Sequence, residues 1–180
     1  MFLLDAFALV FRAYYALIRS PRLTSTGKNT NAQFGFTNAL LELINKQKPS
    51  HMAVCFDTAA PTERHTDFAD YKANRQETPE DILAAVPDIK QIIKAFNIPI
   101  IECDGYEADD VIGTLSKQAE KAGYAVYMVT PDKDYGQLVS EHIKIYKPAY
   151  GGNDAEVLVL QKFVLNGISK TLARLLICLV

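Results

Sequence analysis

Short apolar runs alternate along the chain with longer segments in which apolar residues recur every three or four positions. The short runs predict buried β-strands and the longer segments predict amphipathic helices. Strands are expected at Phe2–Leu4, Met52–Phe56, Ile98–Cys103, Ala125–Val129 and Ile143–Tyr146, the last of them nearer an edge of the sheet. Helices are expected over Ala6–Ile18 and Ala32–Lys46, from Pro79 to near Phe96, and over Ala108–Ala122, where Gly123 ends the helix. This alternation predicts an α/β fold with a mostly parallel sheet covered by helices on both faces.

Two polar connections interrupt the pattern. Residues 20–31 read as an ordinary loop. The connection over residues 58–78 is unusually long for a compact domain, and its cations Arg64, Lys72 and Arg75 lie among aromatic residues such as Tyr71. Cations interleaved with aromatics suit phosphate contact and base stacking, but a solvated charged surface fits this composition equally well.

The composition is that of one globular domain. The 180 residues are 49% apolar and 22% charged, and the net charge of −2 provides no overall basic field for nucleic acid, although a local patch would suffice. Cys55, Cys103 and Cys178 are widely spaced, and the sequence contains no Cys-x-x-Cys pair. Neither a zinc site nor a disulfide framework is therefore expected, and a reduced, cytoplasmic compartment fits best.

The apolar start of the chain resembles a targeting segment at first sight. However, Asp5 and Arg12 interrupt residues 1–18, and no basic stretch precedes them. The uninterrupted apolar run is too short to cross a membrane. We therefore expect neither a targeting segment nor a membrane partner.

Acidic residues follow the ends of four predicted strands. They are Asp5 after the first strand, Asp57 after the second, Glu107, Asp109 and Asp110 after the third, and Asp132 and Asp134 after the fourth. One such acid is commonly a cap of the next helix, and the helix dipole favours acids in a first turn. Parallel strands, however, end at one edge of the sheet, where ligands bind in such folds. Acids that converge there repel one another unless a cation lies between them, so the pattern favours a divalent-metal site.

The predicted ligand set limits the chemistry. Carboxylate oxygens suit Mg²⁺ or Mn²⁺ far better than Zn²⁺, and the sequence contains neither a P-loop nor a Gly-x-Gly-x-x-Gly motif. Two ions held by acids promote in-line displacement at phosphorus, because one activates water and the other stabilises the leaving oxygen. The cations of residues 64–75 would then neutralise the phosphodiester. The sequence therefore indicates a phosphodiesterase that acts on nucleic acid.

Several stretches together resemble one known family. They are Phe2-Leu3-Leu4-Asp5, Arg12-Ala13-Tyr14-Tyr15-Ala16, Ala53-Val54-Cys55-Phe56-Asp57, Arg64-His65, Tyr71-Lys72-Ala73-Asn74-Arg75, Gly105-Tyr106-Glu107-Ala108-Asp109-Asp110-Val111-Ile112-Gly113-Thr114-Leu115, and Thr130-Pro131-Asp132-Lys133-Asp134 with Gln137-Leu138. In this order they are similar to the 5′-nuclease domain of bacterial DNA polymerase I, within the wider flap endonuclease family. The resemblance covers roughly residues 1–155, which we take as the nuclease domain.

The resemblance implies a PIN-like (5′-nuclease) fold and Mg²⁺- or Mn²⁺-dependent cleavage at the 5′ end of DNA, by exonuclease and flap endonuclease action. The implied metal ligands are Asp5, Asp57, Glu107, Asp109, Asp110, Asp132 and Asp134. The implied DNA contacts near the scissile phosphate are Arg12, Arg64, Tyr71, Lys72 and Arg75, of which Tyr71, Lys72 and Arg75 are expected to be catalytic. Such domains remove RNA primers and flaps in replication and repair, and some are joined to a polymerase domain.

The end of the chain departs from this family pattern. The family continues with a Gly-Asp-x-x-Asp-Asn stretch and a Gly-rich helix–hairpin–helix that grips duplex DNA. Residues 156–180 form instead a divergent apolar tail, which has no carboxylate after Glu156 and which could pack as a helix. Fewer metal-site aspartates and phosphate contacts should weaken the second ion and DNA affinity, so weak or absent cleavage is expected.

Three alternatives remain at the level of sequence. The first is a remnant of such a domain that binds DNA or metal without cleavage. The second is a PIN-type ribonuclease, which shares the acidic edge but against which the stretch from Tyr71 to Arg75 argues. The third is a nucleotidase-like phosphatase, for which Asp5 alone is insufficient.

Overall fold

A six-stranded sheet forms the centre of the molecule. The computed structural model describes residues 1–58, 78–149 and 154–160. The strands are β1 (Phe2–Asp5), β2 (Met52–Cys55), β3 (Ile100–Ile101), β4 (Val126–Val129), β5 (Ile143–Lys147) and β6 (Glu156–Leu158), in the spatial order β3-β2-β1-β4-β5-β6. All neighbours are parallel except β5 and β6, which are antiparallel. The predicted α/β fold with a mostly parallel sheet is confirmed.

Helices connect the strands as the apolar periodicity predicts. They are α1 (Ala6–Ala16), α2 (Asn31–Gln47), α3 (Glu80–Ala95) and α4 (Ala108–Lys121), and a short 3₁₀ helix covers Asp134–Leu138. Each predicted helix boundary is within two residues of the observed one. Gly123 adopts a φ of 85°, the left-handed conformation that favours glycine after a helix end, so its predicted role is also confirmed.

Each face of the sheet has its own apolar core. Successive strand residues point to opposite faces, so that Leu4 and Val129 pack on the side of α1, α2 and α3. Leu3 and Met128 pack on the other side, with Ile112 of α4. Helices therefore cover both faces, as predicted. None of the helices in the described residues combines the length and apolarity that crossing a bilayer requires.

The third strand is much shorter than the predicted Ile98–Cys103. The backbone N–H of Ile98 donates to the last turn of α3 (3.2 Å), and the carbonyl of Cys103 accepts a hydrogen bond from the N–H of Tyr106 (3.2 Å). The first residue of the apolar run therefore bonds to the end of α3, and the last residue belongs to a turn. Only Ile100–Ile101 pairs with β2, at one edge of the sheet.

The fifth strand lies nearer an edge of the sheet, as predicted, but a sixth strand lies outside it. β5 lies between β4 and β6, because Glu156–Leu158 adds an antiparallel strand beyond it. A three-residue strand with exposed Glu156 and Val157 is too short to show an alternating pattern. Val157 and Leu158 are therefore strand, not helix, and the sheet continues past residue 155. The predicted tail from residue 161 onward lies outside the described residues.

Helices α1 and α2 are packed very closely at one glycine. A Cβ atom added at Gly35 would lie 2.7 Å from the Cβ of Ala13, a distance at which atoms overlap. Only glycine permits this approach of the two helices. Asp5 caps the N-terminus of α1. The close packing of α1 against α2 therefore also holds the helix start next to Asp5 in position.

Candidate metal centre

The acids of the sequence pattern lie around the carboxyl edge of the sheet. β1 and β4 are adjacent at the point where the strand order changes direction, which is where ligands bind in open parallel sheets. Asp5 ends β1, Asp57 follows β2 by two residues, and Asp132 follows β4 by three. Glu107 caps the N-terminus of α4. The predicted convergence on one edge is thus correct at the level of topology.

Asp5 accepts three hydrogen bonds from the described residues. Its Oδ1 accepts the backbone N–H of Ala8 (3.1 Å) and so caps α1, while Oδ2 accepts the hydroxyls of Thr130 (3.3 Å) and Tyr135 (3.2 Å). Burial raises the pKa of Asp5 to about 6 against the lowering by these donors, and the negative charge of Asp57 adds to the rise. Asp5 and Asp57 are therefore close enough to repel each other.

Asp57 connects the end of β2 to the start of α4. Its Oδ1 accepts the backbone N–H of Ala108 (2.6 Å), the first residue of the helix. A carboxylate at this position is stabilised by the positive end of the helix dipole. The interaction holds α4, and the acids of its first turn, against the strand that carries Asp57.

Glu107 and Asp110 share a face of α4, as their spacing predicts, and form a capping box. The side chain of Glu107 accepts the N–H of Asp110, and Oδ2 of Asp110 accepts the N–H of Glu107 (3.2 Å). Asp109 is exposed, and its Oδ1 also accepts the N–H of Asp110 (2.8 Å). Helix capping therefore accounts for more of these acids than the sequence pattern indicates.

Asp132 and Asp134 are exposed at the start of the 3₁₀ helix. Oδ1 of Asp132 accepts the N–H of Asp134 (2.9 Å), and the N–H of Asp132 donates to Oγ1 of Thr130 (3.2 Å). Thr130 thus joins this loop to Asp5. Tyr135, the next residue, has its pKa raised by burial, and the negative charges of Asp5 and Asp109 add to the rise.

The described acids are near one another without forming a closed ligand cage. In residues 1–58, 78–149 and 154–160, no three Asp, Glu, His or Cys side chains are arranged to hold one ion. Within the same residues, neither Asp5 nor Asp57 has a cationic partner. Two carboxylates that repel each other and have no cationic partner suit a bound cation. Because the available ligand atoms are oxygens, the cation that fits them is a hard divalent ion.

The predicted DNA contacts are mostly outside the described residues. Arg64, Tyr71, Lys72 and Arg75 all lie there. Arg12 is described: its guanidinium donates to the carbonyl of Ala149, and it lines a cleft of about 240 Å³ beside α1 and α2. This cleft is lined by both polar and apolar residues, including Asn38, Glu42 and Phe34.

Two hydroxyl residues at the site were missed by sequence reasoning. Thr130 and Tyr135 both donate to Asp5, and Tyr135 is buried, with 4% of its surface exposed. Both flank the acidic stretch after β4, and that adjacency is the signal that could have pointed to them. Thr58, next to Asp57, has a buried hydroxyl oxygen with no hydrogen-bond partner among the described residues.

The fold and the acidic edge together define an α/β protein with a candidate metal centre at the switch point of its sheet. The chain belongs to the family of the 5′-3′ exonuclease N-terminal resolvase-like domain, which it matches over residues 1–166. This membership confirms the resemblance found in the sequence motifs.

Proteins similar in sequence to this chain include a longer nuclease and a DNA polymerase. The chain is 39% identical over 163 residues to a 5′-3′ exonuclease of Aquifex aeolicus, covering 91% of this chain and 56% of that protein. It is 43% identical over 157 residues to DNA polymerase I of Chloroflexus aurantiacus, covering 87% of this chain and 17% of the polymerase. The chain therefore spans about half of the exonuclease and a smaller part of the polymerase.

Solved structures confirm the PIN-like (5′-nuclease) fold. A zinc-bound 5′-exonuclease of T5 superposes with a TM-score of 0.71 at 17% identity, covering 92% of this chain and 59% of that one. A D15 flap endonuclease of bacteriophage T5 with DNA and metal ions gives 0.70 at 16% identity, with the same coverage. The catalytic core of Rad2 with DNA gives 0.55 at 17% identity, covering 94% and 51%.

Proposed function

We propose that this chain is the nuclease domain of a divalent-metal-dependent 5′-3′ exonuclease and 5′-flap endonuclease that acts on DNA in the cytoplasm. The proposed ions are Mg²⁺ or Mn²⁺, two per site. The proposed substrate is DNA with a 5′ end or flap, as met during primer and flap removal. The family membership and the relatives named as 5′-3′ exonuclease support this reaction class.

One observation carries the proposal. Asp5 and Asp57, which lie at and just after the ends of the adjacent strands β1 and β2, repel each other at the carboxyl edge of the sheet, and no cation among the described residues neutralises them. Such an arrangement is costly unless an ion binds there. An oxygen-only set favours Mg²⁺ or Mn²⁺, the ions used in phosphodiester hydrolysis.

In this proposal, the acidic residues bind the ions and the basic and aromatic residues bind the DNA. Asp5, Asp57, Glu107, Asp109, Asp110, Asp132 and Asp134 would hold the ions. When bound, the ions supply an activated water and charge neutralisation at phosphorus. Helix α4 holds Asp57 through the N–H of Ala108 and so keeps the acids of β2 and α4 together. Lys72, Arg75 and Tyr71 would contact the scissile phosphate, and Arg12 and Arg64 would bind the DNA backbone beside it.

A second candidate is a domain that binds metal or DNA without cleaving it. The finding that favours it is the lack of a ready three-acid cluster within the described parts of the chain. Ligand acids that remain apart would give weak metal affinity and poor alignment. This candidate predicts binding of Mn²⁺ or DNA with no turnover.

Cleavage of a 5′-labelled flap duplex distinguishes the two candidates. We expect weak but measurable cleavage with MgCl₂ or MnCl₂, none with EDTA, and strongly reduced product for Asp110→Asn, which keeps an oxygen for the helix cap but loses its charge. Single-stranded RNA of the same sequence tests the ribonuclease alternative, and it should remain intact. Equal cleavage by Asp110→Asn would reveal a contaminant, and Mn²⁺ binding without cleavage would establish the second candidate.

The proposed role of Lys72 gives a separate prediction. Lys72→Ala should lower the cleavage rate by about 100-fold, the effect of removing one group that stabilises developing charge. Its Mn²⁺ affinity should be unchanged, because lysine is not a metal ligand. The control is Lys46→Ala, which removes a surface ion pair with Glu42 on α2. Equal rates for the wild type and Lys72→Ala would exclude this catalytic role.

A further inference from the structure

The hydroxyl of Tyr135 contacts the acidic edge of the sheet at Asp5. Tyr135 belongs to the 3₁₀ helix Asp134–Leu138, and its ring packs in the core on the α4 side of the sheet. Only 4% of its surface is exposed, and its hydroxyl donates to Oδ2 of Asp5 over 3.2 Å. A buried ring cannot move far, so the hydroxyl is held in one place relative to β1.

The hydrogen bonds of Asp5 leave little freedom to its carboxylate. An ionised carboxylate has about four acceptor positions. Three are occupied, by the N–H of Ala8 on Oδ1 and by the hydroxyls of Thr130 and Tyr135 on Oδ2. One position therefore remains for a further partner.

The orientation of this remaining position depends on these donors. The terminal torsion of an aspartate is broad, so the side chain alone does not fix the plane of its carboxylate. The N–H of Ala8 donates to Oδ1 alone, which still allows the plane of the carboxylate to rotate. Only the contacts of Oδ2 limit that rotation. The two hydroxyls come from separate elements, Thr130 after β4 and Tyr135 in the 3₁₀ helix, and together they fix Oδ2.

We propose that Tyr135 is a positioning residue, whose hydroxyl holds the Asp5 carboxylate so that its remaining acceptor position serves a divalent cation. The inference rests on the proposed function, because it requires that the acidic edge binds metal. It assigns to Tyr135 no contact with the metal or the DNA. Donors that hold a ligating group in this way commonly change metal affinity by about 10- to 100-fold.

The test compares Mn²⁺ dissociation constants by titration calorimetry for the wild type, Tyr135→Phe and Tyr14→Phe. The Phe variant keeps the buried ring and removes only the hydroxyl. Tyr14 is the matched control, because its hydroxyl also meets an aspartate, Asp81 (3.4 Å), on α3. We expect Tyr135→Phe to raise the dissociation constant by about 10-fold, and Tyr14→Phe to leave it unchanged.

A second variant tests the shared restraint on Oδ2. Thr130→Val removes the other hydroxyl, and the two changes should be non-additive, since both donors act on one oxygen atom. Urea unfolding in EDTA, measured on the same proteins, reports any purely structural effect. If Tyr135→Phe does not fold, Thr130→Val alone tests the restraint on Oδ2, and an unchanged Mn²⁺ affinity would contradict the proposal.

The outcomes separate the two claims. A wild type that binds no Mn²⁺ would overturn the proposed function and this inference with it. A wild type that binds Mn²⁺ with the same affinity as Tyr135→Phe would overturn the inference alone. A purely structural tyrosine would change stability in urea but not Mn²⁺ affinity, and that result also contradicts the proposal.

Discussion

Asp5→Asn should reduce metal-dependent cleavage by a factor on the order of 10³ and, at the same time, stabilise the metal-free protein at pH 8. The loss of cleavage follows because a bound ion contributes several kcal/mol to transition-state stabilisation, and each 1.36 kcal/mol is a factor of ten. The gain in stability follows because Asp5 is half-buried, which disfavours its charged form, and is repelled by Asp57. Asparagine has the same shape without the charge.

The pH dependence of this gain is fixed by the pKa of Asp5. Its folded value of about 6 is above the ordinary 3.8, so the stability it contributes is complete below about pH 4 and is lost as the pH rises through 6. The difference corresponds to about 3 kcal/mol lost at pH 8. Asparagine avoids this loss, and the hydroxyls of Thr130 and Tyr135 can rotate to accept from its amide group.

Urea unfolding in EDTA at pH 8 and pH 4 measures this effect. Asp5→Asn should exceed the wild type in the free energy of unfolding at pH 8 and be close to it at pH 4. Asp88→Asn is the control of opposite sign, because hydrogen bonds from Lys28 and Gln33 lower the pKa of Asp88. A destabilised Asp5→Asn at pH 8 would show that the Asp5 charge is already neutralised within the protein.

Alanine at Gly35 should destabilise the protein, whereas alanine at Gly113 should not. A Cβ at Gly35 lies 2.7 Å from the Cβ and 3.1 Å from the Cα of Ala13, so α1 and α2 must separate. Overpacking of this kind costs about 1–3 kcal/mol, and the helix preference of alanine returns only about 0.5–1 kcal/mol. The net free energy of unfolding should fall by on the order of 1–2 kcal/mol.

Gly113 on α4 is the matched control for Gly35. A Cβ there meets only the methyl carbons of Leu138, at 3.3 and 3.8 Å, and the end of a leucine side chain can move aside. Gly113→Ala should therefore be neutral or stabilising by up to about 1 kcal/mol. Urea denaturation of both variants at one pH gives the comparison, and equal effects would mean that the α1–α2 contact is not the constraint.

Much of the fold was predictable because most elements have a strong local pattern. The helices α2 and α4 have long apolar stripes, and each predicted boundary of α2 is one residue from the observed one. β3 and β6 are different, since two or three residues carry no periodicity. Their limits depend on contacts with α3 and β5, which the local sequence does not specify.

The sequence predicts which acids follow the strands at the carboxyl edge of the sheet. It does not predict which hydrogen bonds these acids accept. The position of Asp5 and Asp57 after adjacent strands follows from strand order, because parallel strands end at one edge. Which N–H each acid accepts depends on the exact approach of α4 and of the 3₁₀ helix. The contact between Tyr135 and Asp5 therefore appears only in three dimensions, although the two residues are 130 positions apart in sequence.

The most direct test of the metal centre is Mn²⁺ binding without DNA, followed by electron paramagnetic resonance of the free ion. The proteins are the wild type, Asp57→Asn and Asp81→Asn. Asp81 is the control position, because it lies on α3 and accepts a hydrogen bond from the side chain of Asn29. We predict that the wild type and Asp81→Asn bind Mn²⁺ alike and that Asp57→Asn binds at least about 10-fold more weakly. A wild type that leaves Mn²⁺ free, or three proteins with one affinity, would contradict a metal centre at this edge.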